Sequence, residues 1–377
     1  MPTTIIAFIL ILSVLVFVHE LGHFLAARKF GAKADEFGLG FPPRLFGFYK
    51  STSGTWKYTW WRKEVTDAAD TIYSINLIPL GGFVKIQGED GEDKKDVMSF
   101  ANKPIWQRTI ILCAGVLMNV LLAIVIFTGM FFFGSNQSLE GLPQNGAKIT
   151  NRHLEVVSVN IDSPAAKAEV KPGDTVVAIN GHEMMTVDEL QAFVSDKAGQ
   201  SLTYTIKRGN EELTKEITPI ILQETNRGGI GIAPSEVGFI RYSWYRSIIE
   251  GVKTTGIFMW LIITGFADLL SRLVTGHSVS NEVSGIVGIA VLTGQVVDLG
   301  FSYLFQFAAL LSLNLAFINI LPIPALDGGR ILFLIVEKIK GRPVKQETEA
   351  MVHNIGFMLL IGLMILVTFT DIKRLFN

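Results

Sequence analysis

Long apolar runs alternate along the chain with polar, turn-rich stretches, and several of the runs reach membrane-spanning length. Residues 3–27 are almost wholly apolar until His19 and Glu20, and crossing a bilayer takes roughly 20 such residues. This first run has no basic start and no small-residue cleavage site, and it ends on Arg28 and Lys29. That favours a retained helix over a signal peptide, with its basic end in the cytoplasm and its N-terminus outside. Residues 105–133 form a second run, preceded by Lys103 and entered with Arg108. Gly115 and Asn119 share one face of it. Gly115 is expected to permit close helix packing, and Asn119 to hydrogen-bond to another helix. Residues 302–321 form a third run, which ends at the Pro322 and Pro324 break. Residues 331–337 continue as helix, and Lys338, Lys340, Arg342 and Lys345 mark a cytoplasmic stretch. Residues 352–370 form a fourth, although Lys373 and Arg374 beyond it run against the positive-inside tendency. Ile248 to Leu273 is apolar along one side but is interrupted by Asp268 and Arg272, with His277 following. That pattern suits a helix lying along the membrane surface better than a crossing.

Two stretches read differently. In residues 30–101, short β-prone runs rich in Trp, Tyr and Phe (37–41, 55–61 and 73–78) are broken by Gly and Pro. A turn at Ile78-Pro79-Leu80-Gly81-Gly82 returns as a strand over Phe83 to Ile86. This predicts a small membrane-associated sheet, followed by a charged linker from Asp90 to Asp96. Residues 135–240 are polar, with turns at Asn145-Gly146, Asn180-Gly181 and Arg227-Gly228-Gly229 and alternating strands such as Leu202 to Lys207. They read as a soluble extracytoplasmic insert. The expected fold is a multi-pass membrane protein, mainly α, with about four transmembrane helices, the small β-sheet and one α+β insert. Its expected parts are 1–134 and 301–377 as two pieces of a membrane core, 150–222 as the insert's folded domain, and 243–300 as a membrane-surface helical region.

Composition agrees with this picture. Of 377 residues 49% are hydrophobic and 18% charged, against about 25% charged in ordinary soluble domains, and the mean hydropathy is +0.40. A net charge of -1 offers no electrostatic case for nucleic-acid binding, and the long apolar runs make the lipid bilayer an expected partner. One cysteine, Cys113, excludes an internal disulfide and a cysteine-built zinc site. It sits in an apolar helix as a small hydrophobe.

The candidate chemistry lies in the first run, in His19-Glu20-Leu21-Gly22-His23. Four apart on a helix, the two imidazoles can converge on one metal, and the adjacent Glu20 can act as general base on water. The alternative is a hydrogen-bonded polar patch between helices. Ionisable groups at membrane depth are costly, however, and point to function. A catalytic zinc takes a third protein ligand, and Asp327 is the leading candidate. It follows Asn319-Ile320-Leu321-Pro322-Ile323-Pro324-Ala325-Leu326 and precedes Gly328-Gly329, where a broken helix would line a cavity. Alone, that aspartate would read as a helix cap. His153, His182, His277 and His353 are weaker metal candidates.

Taken together, the intramembrane His-Glu-Leu-Gly-His, the Asn119 helix and the Asn-x-x-Pro-x-Pro-x-Leu-Asp-Gly-Gly run resemble the site-2 protease family, in particular its bacterial branch, over nearly the whole chain. The resemblance implies an intramembrane metalloprotease with Zn2+ held by His19, His23 and Asp327 and water activated by Glu20. It implies substrate contacts at Asn319 and Asn119, and at Gly81, Gly82 and Phe83 in a membrane-reentrant hairpin to which an unwound substrate adds as a strand. An aromatic interfacial anchor remains the alternative for Trp56, Trp60 and Trp61. It further implies single-span transmembrane substrates already trimmed outside, such as anti-sigma factors or signal-peptide remnants, and a bacterial cytoplasmic membrane with the active site near its cytoplasmic side. Within the insert, Ser163-Pro164-Ala165-Ala166, Val170-Lys171-Pro172-Gly173-Asp174 and Val176 to Gly181 resemble a PDZ domain of bacterial proteases. It would either bind peptide by strand addition or only restrict access to the site. Just one such domain fits between residues 150 and 222. Two other classes compete: a peptide-binding membrane scaffold with a dead metal site, and a metal transporter, which would need neither Glu20 nor the insert.

Overall fold

The computed structural model describes residues 2–61, 63–89, 91, 95–140, 146–209, 211–222, 227–276 and 285–376. Asn145, His277 and most of the Asp90–Asp96 linker lie outside the described residues. In order, the elements are helix α1 (Pro2–Lys29), strands β1 (Ala34–Lys50), β2 (Trp56–Trp60) and β3 (Ile72–Ile86), helix α2 (Ile105–Phe133), and strands β4 (Ser135–Ser138) and β5 (Lys148–Val159). Next come helix α3 (Pro164–Lys167), strands β6 (Thr175–Ile179) and β7 (His182–Glu183), helix α4 (Val187–Ser195), and strands β8 (Leu202–Arg208), β9 (Glu211–Ile217), β10 (Ile220–Leu222), β11 (Arg227–Gly229) and β12 (Ile232–Arg241). The chain ends in helices α5 (Trp244–Val274), α6 (Ile286–Leu299), α7 (Phe301–Ile320), α8 (Asp327–Lys340) and α9 (Gln346–Phe376). It divides into two compact units, one of Met1–Phe127 with Gly251–Asn377, the other Thr128–Glu250.

In the first unit, α1, α2, α5, α7 and α9 are each long and apolar enough to cross a membrane. Among the described residues, five such helices stand where the sequence pattern predicts about four. The addition is α5, whose 31 residues extend the expected amphipathic run at its N-terminal end. None of its apolar window is buried, so length and composition admit both a crossing and a surface position. The C-terminal turns of α1 pack against α2 and α8 through Ala26, Ala27, Ile111, Leu112 and Leu334. Two ion pairs reinforce α8. Arg108 of α2 donates two hydrogen bonds to Glu337, at 2.6 and 3.1 Å, and Arg330 reaches Glu89, just beyond β3, at 2.5 Å.

The small sheet folds round itself. Gly38 of β1 pairs with both Phe83 and Ser74 of β3, and Ser74 pairs again with Gly47. The first half of β1 therefore lies between the two halves of the bent β3, and β2 completes the outer edge. Alternation sends Trp56, Tyr58 and Trp60 to one face, where they meet Phe46 and Phe48 at ring distances of 4.7–5.8 Å and stay exposed. Arg28, in the last turn of α1, ties the sheet to that helix through the Tyr73 hydroxyl and Asp70.

The second unit is a sheet in the order β4-β12-β5-β6-β8-β9, with β7 on β6. Its core is Leu154, Val156, Val176, Ile179, Leu190, Val194, Tyr204 and Ile206. Thus strands outside residues 150–222 complete the sheet, because β12 pairs with β5 from Ile232 to Arg241. Ser163 caps α3, and Thr186 with Glu189 forms a capping box on α4. Asp174, 1% exposed, accepts the Lys171 N–H and both Nε and Nη2 of Arg208, all at 2.7–2.8 Å. Replacing Asp174 by alanine opens the turn and leaves Arg208, a third exposed, with the Glu169 carbonyl as an acceptor, and is expected to destabilise this unit by about 2 kcal/mol. Hydrogen exchange on the whole protein should then show faster exchange across β6 and β8, with α1 and α2 unchanged.

Candidate active site

The three candidate ligands come from two helices far apart in sequence. His19 and His23 lie on one face of α1 and are both buried, and Asp327 is the first residue of α8. His19 Nε2 is 3.0 Å from Asp327 Oδ2, His23 Nε2 is 3.3 Å from the same oxygen, and the two Nε2 atoms are 3.2 Å apart. They are the one group of three or more such residues placed to hold a metal ion among the described residues; His153, His182 and His353 join no such group.

The loop that delivers Asp327 depends on its glycines. A Cβ on Gly328 would lie 2.2 Å from the Leu321 carbonyl oxygen, and one on Gly329 would lie 2.4 Å from that of Ile323. The chain can reverse tightly after Pro322 and Pro324 and start α8 at Asp327, whose carboxylate turns to the histidines. Leu326 holds the cap position and Asp327 is the first helical residue, so the aspartate is not the cap, and its carboxylate lies against the histidines instead.

The other side of each imidazole is held as well. His23 Nδ1 donates to the Ile111 carbonyl at 2.9 Å, and the Asn119 amide lies 3.3 Å from His19 Nδ1. Asn119 is itself buried, and its backbone carbonyl accepts a hydrogen bond from Ser312 of α7 at 2.8 Å. Asn319, near the end of α7, places its amide 3.3 Å from His19 Nε2. Glu20 stands beside these groups, facing the Val84 backbone N–H of β3. Gly82 lets β3 close on α1 there: a Cβ would meet the Phe17 Cα at 2.7 Å and Glu20 at 3.4 Å. Gly81 does the same against Val16. Phe83 instead lines a cavity of about 790 Å3 with Lys33, Glu36, Arg44, Asp70 and Lys85.

One residue of the site was read differently from the sequence. Gly115 of α2 faces the imidazoles, and a Cβ there would lie 2.3 Å from His23 Nε2 and 2.8 Å from His19 Cε1. The signal available was its spacing of four from Asn119, which places both residues toward the same neighbour.

The model of peptidase family M50 matches residues 7–62 and 63–363. The chain belongs to peptidase family M50. It is 33% identical to a putative zinc metalloprotease, Atu1380, of Agrobacterium fabrum, over 98% of this chain and 96% of that protein. It is 32% identical to the regulator of sigma-W protease RasP of Bacillus subtilis, over 99% of both chains. Membership makes it a metalloprotease with zinc as cofactor. Among solved structures, the PDZ domain of an SdrC-like protein from Listeria monocytogenes is 26% identical, covering 23% of this chain and 92% of that domain, with a TM-score of 0.22.

Proposed function

We propose that this M50 protease hydrolyses peptide bonds within transmembrane segments, with one zinc ion held by His19, His23 and Asp327 and with Glu20 as the base. The convergence of the three ligand atoms carries this reading. A tetrahedral zinc with bonds of about 2.0–2.1 Å has ligand atoms about 3.3–3.4 Å apart, and the three separations here are 3.0, 3.2 and 3.3 Å. Two imidazole Nε2 lone pairs turned on each other and on a carboxylate repel unless a cation or proton lies between them. The second contact of each ring fits as well. The Ile111 carbonyl keeps a proton on His23 Nδ1, leaving Nε2 as donor to a metal. The same tautomer of His19 requires an acceptor at Nδ1, and the Asn119 amide provides one when its oxygen faces the ring.

Bound there, zinc supplies a Lewis acid for the scissile carbonyl and makes water more acidic. Glu20 takes the proton from the attacking water and passes it to the leaving amine. Asn319 and Asn119 flank the ligands, and Asn319 is the better placed to hold a substrate carbonyl. A transmembrane helix must unwind before its backbone is open to attack, and β3 at Gly81–Phe83, packed one turn before Glu20, offers a strand for it to join. The substrates we infer are single-span proteins trimmed beforehand outside the membrane, such as anti-sigma factors or signal-peptide remnants. The sigma-W role in the name of RasP supports that class. The basic ends of α1 and α8 support an N-terminus and insert outside the cell, with the site near the cytoplasmic face of the bacterial membrane.

We read the insert as a PDZ-type domain. On β12, β4 pairs with only Val237 to Ile240, so the side of Ile232–Ser235 facing away from β5 has no strand partner among the described residues. That supports peptide addition over simple obstruction.

The test is cleavage of a transmembrane reporter protein by the purified enzyme in detergent. Chelation should abolish cleavage and added zinc restore it, whereas Asp327→Ala should regain neither zinc nor activity. Full cleavage after complete removal of metal would sink the mechanism. Stoichiometric zinc with no cleavage of any transmembrane reporter would favour the scaffold or transporter instead.

A further inference from the structure

The loop between α7 and α8 carries a backbone conformation that it cannot hold by itself. Ala325, two residues before Asp327, has a φ of 76°, in the left-handed region that a non-glycine residue enters only at a cost. Within residues 321–326, the Ile323 and Leu326 N–H groups find carbonyl partners in the loop, at Leu321 and Ile323. The Ala325 N–H instead points away from the loop, to α9, where His353 Nδ1 accepts it at 2.9 Å. A backbone N–H at membrane depth has no water to turn to, and leaving it unpaired is expensive. One turn further along the same face of α9 is Gly356, where a Cβ would lie 2.4 Å from Pro324 Cβ and 2.8 Å from the Pro324 carbonyl oxygen. The absence of a side chain there lets α9 come close enough for His353 to reach. Phe333 of α8 lies against the imidazole at 5.5 Å between ring centres, so the ring is held from the Asp327 helix as well.

We propose that His353 is a positioning residue for the metal site. By accepting the Ala325 N–H it holds the left-handed turn that aims the Asp327 carboxylate at His19 and His23. It does not touch the reacting atoms. Its role rests on Asp327 being a zinc ligand, and it adds α9 to the helices that determine the affinity of the site.

The bond uses Nδ1, which allows a discriminating pair of variants. In His353→Asn the amide oxygen sits where Nδ1 was, one bond from Cγ, and can accept the same N–H. In His353→Gln the extra methylene carries the oxygen to the position of Nε2, out of reach of Ala325. His353→Leu removes the acceptor while keeping apolar volume. Zinc affinity would be measured by chelator competition on the full-length purified protein, with kcat and KM for a transmembrane reporter alongside. His353→Leu and His353→Gln are expected to weaken zinc binding by about 10- to 100-fold and to lower kcat with little change in KM, and His353→Asn to restore both. Wild-type zinc affinity in His353→Leu would overturn the proposal. So would equal losses in the Asn and Gln variants, since the site would then need the ring's packing and not its acceptor. Asp327→Asn, measured in parallel, separates the two readings: if it too binds zinc normally, the ligand assignment has failed and not the role of His353 alone.

Discussion

Replacing Glu20 by glutamine is expected to lower cleavage of a transmembrane reporter by about 10²- to 10⁴-fold while leaving the zinc content unchanged. Glutamine matches glutamate in shape and can still face the Val84 N–H, so packing between α1 and β3 at Gly82 is undisturbed. It cannot take a proton from water or return one to the leaving amine. Glu20 is not in the group of converging ligand atoms, which is His19, His23 and Asp327, and metal should therefore remain bound. Turnover and zinc stoichiometry measured on the same preparation separate the two roles. Undiminished turnover in the glutamine variant would remove Glu20 from the mechanism. Loss of zinc together with activity would make Glu20 part of the metal site itself.

A second large effect is expected where helix propensity predicts the opposite. In a helix interior, Gly→Ala ordinarily stabilises by about 1 kcal/mol, and Gly115 is in the middle of α2. Its added Cβ, however, would fall 2.3 Å from His23 Nε2 and 2.8 Å from His19 Cε1 and His23 Cε1. One or both rings must swing, and a metal site tolerates displacements of only about 0.5 Å. Gly115→Ala should therefore weaken zinc binding by at least about 100-fold, with cleavage falling in step, while helix content is kept. Gly129, on the same helix, supplies the control, because a Cβ there meets nothing within 4 Å; Gly129→Ala should bind zinc normally. If the two variants bind zinc equally, Gly115 serves helix packing and not the imidazoles.

The reading of Gly115 from the sequence shows where local reasoning stops. A glycine on an apolar helix is usually a packing residue, and nothing within its own helix says which neighbour it meets. Asn119 is a similar case. Its burial at membrane depth predicts a hydrogen bond to another helix, but the partner being a candidate metal ligand emerges only when α1 and α2 are side by side. The extent of the insert's sheet was also illegible, since β12 returns to pair with β5 from some 75 residues away, across an intervening set of turns. For α5, the sequence read a helix from Ile248 to Leu273, and the structure extends it to Trp244–Val274, a length that admits a surface position or a crossing alike.

The candidate metal-binding motif was legible early because its information is local. His19 and His23 are four apart on one helix, a spacing that geometry turns into a shared face without help from the rest of the chain. The apolar runs around them likewise state their own length and their cost to any charge they hold. By itself, then, the sequence determined where the long apolar helices lie, the paired imidazoles with Glu20 beside them, and the resemblance that drew Asp327 into the same group. Only the tertiary structure decided how that group is held. The left-handed turn at Ala325, its hydrogen bond to His353, the missing side chains at Gly115 and Gly356, and the amide beside His19 are all contacts between segments that no periodicity relates. Hydrophobic pattern follows from the geometry of one element at a time, whereas a metal site needs ångström-scale agreement between several.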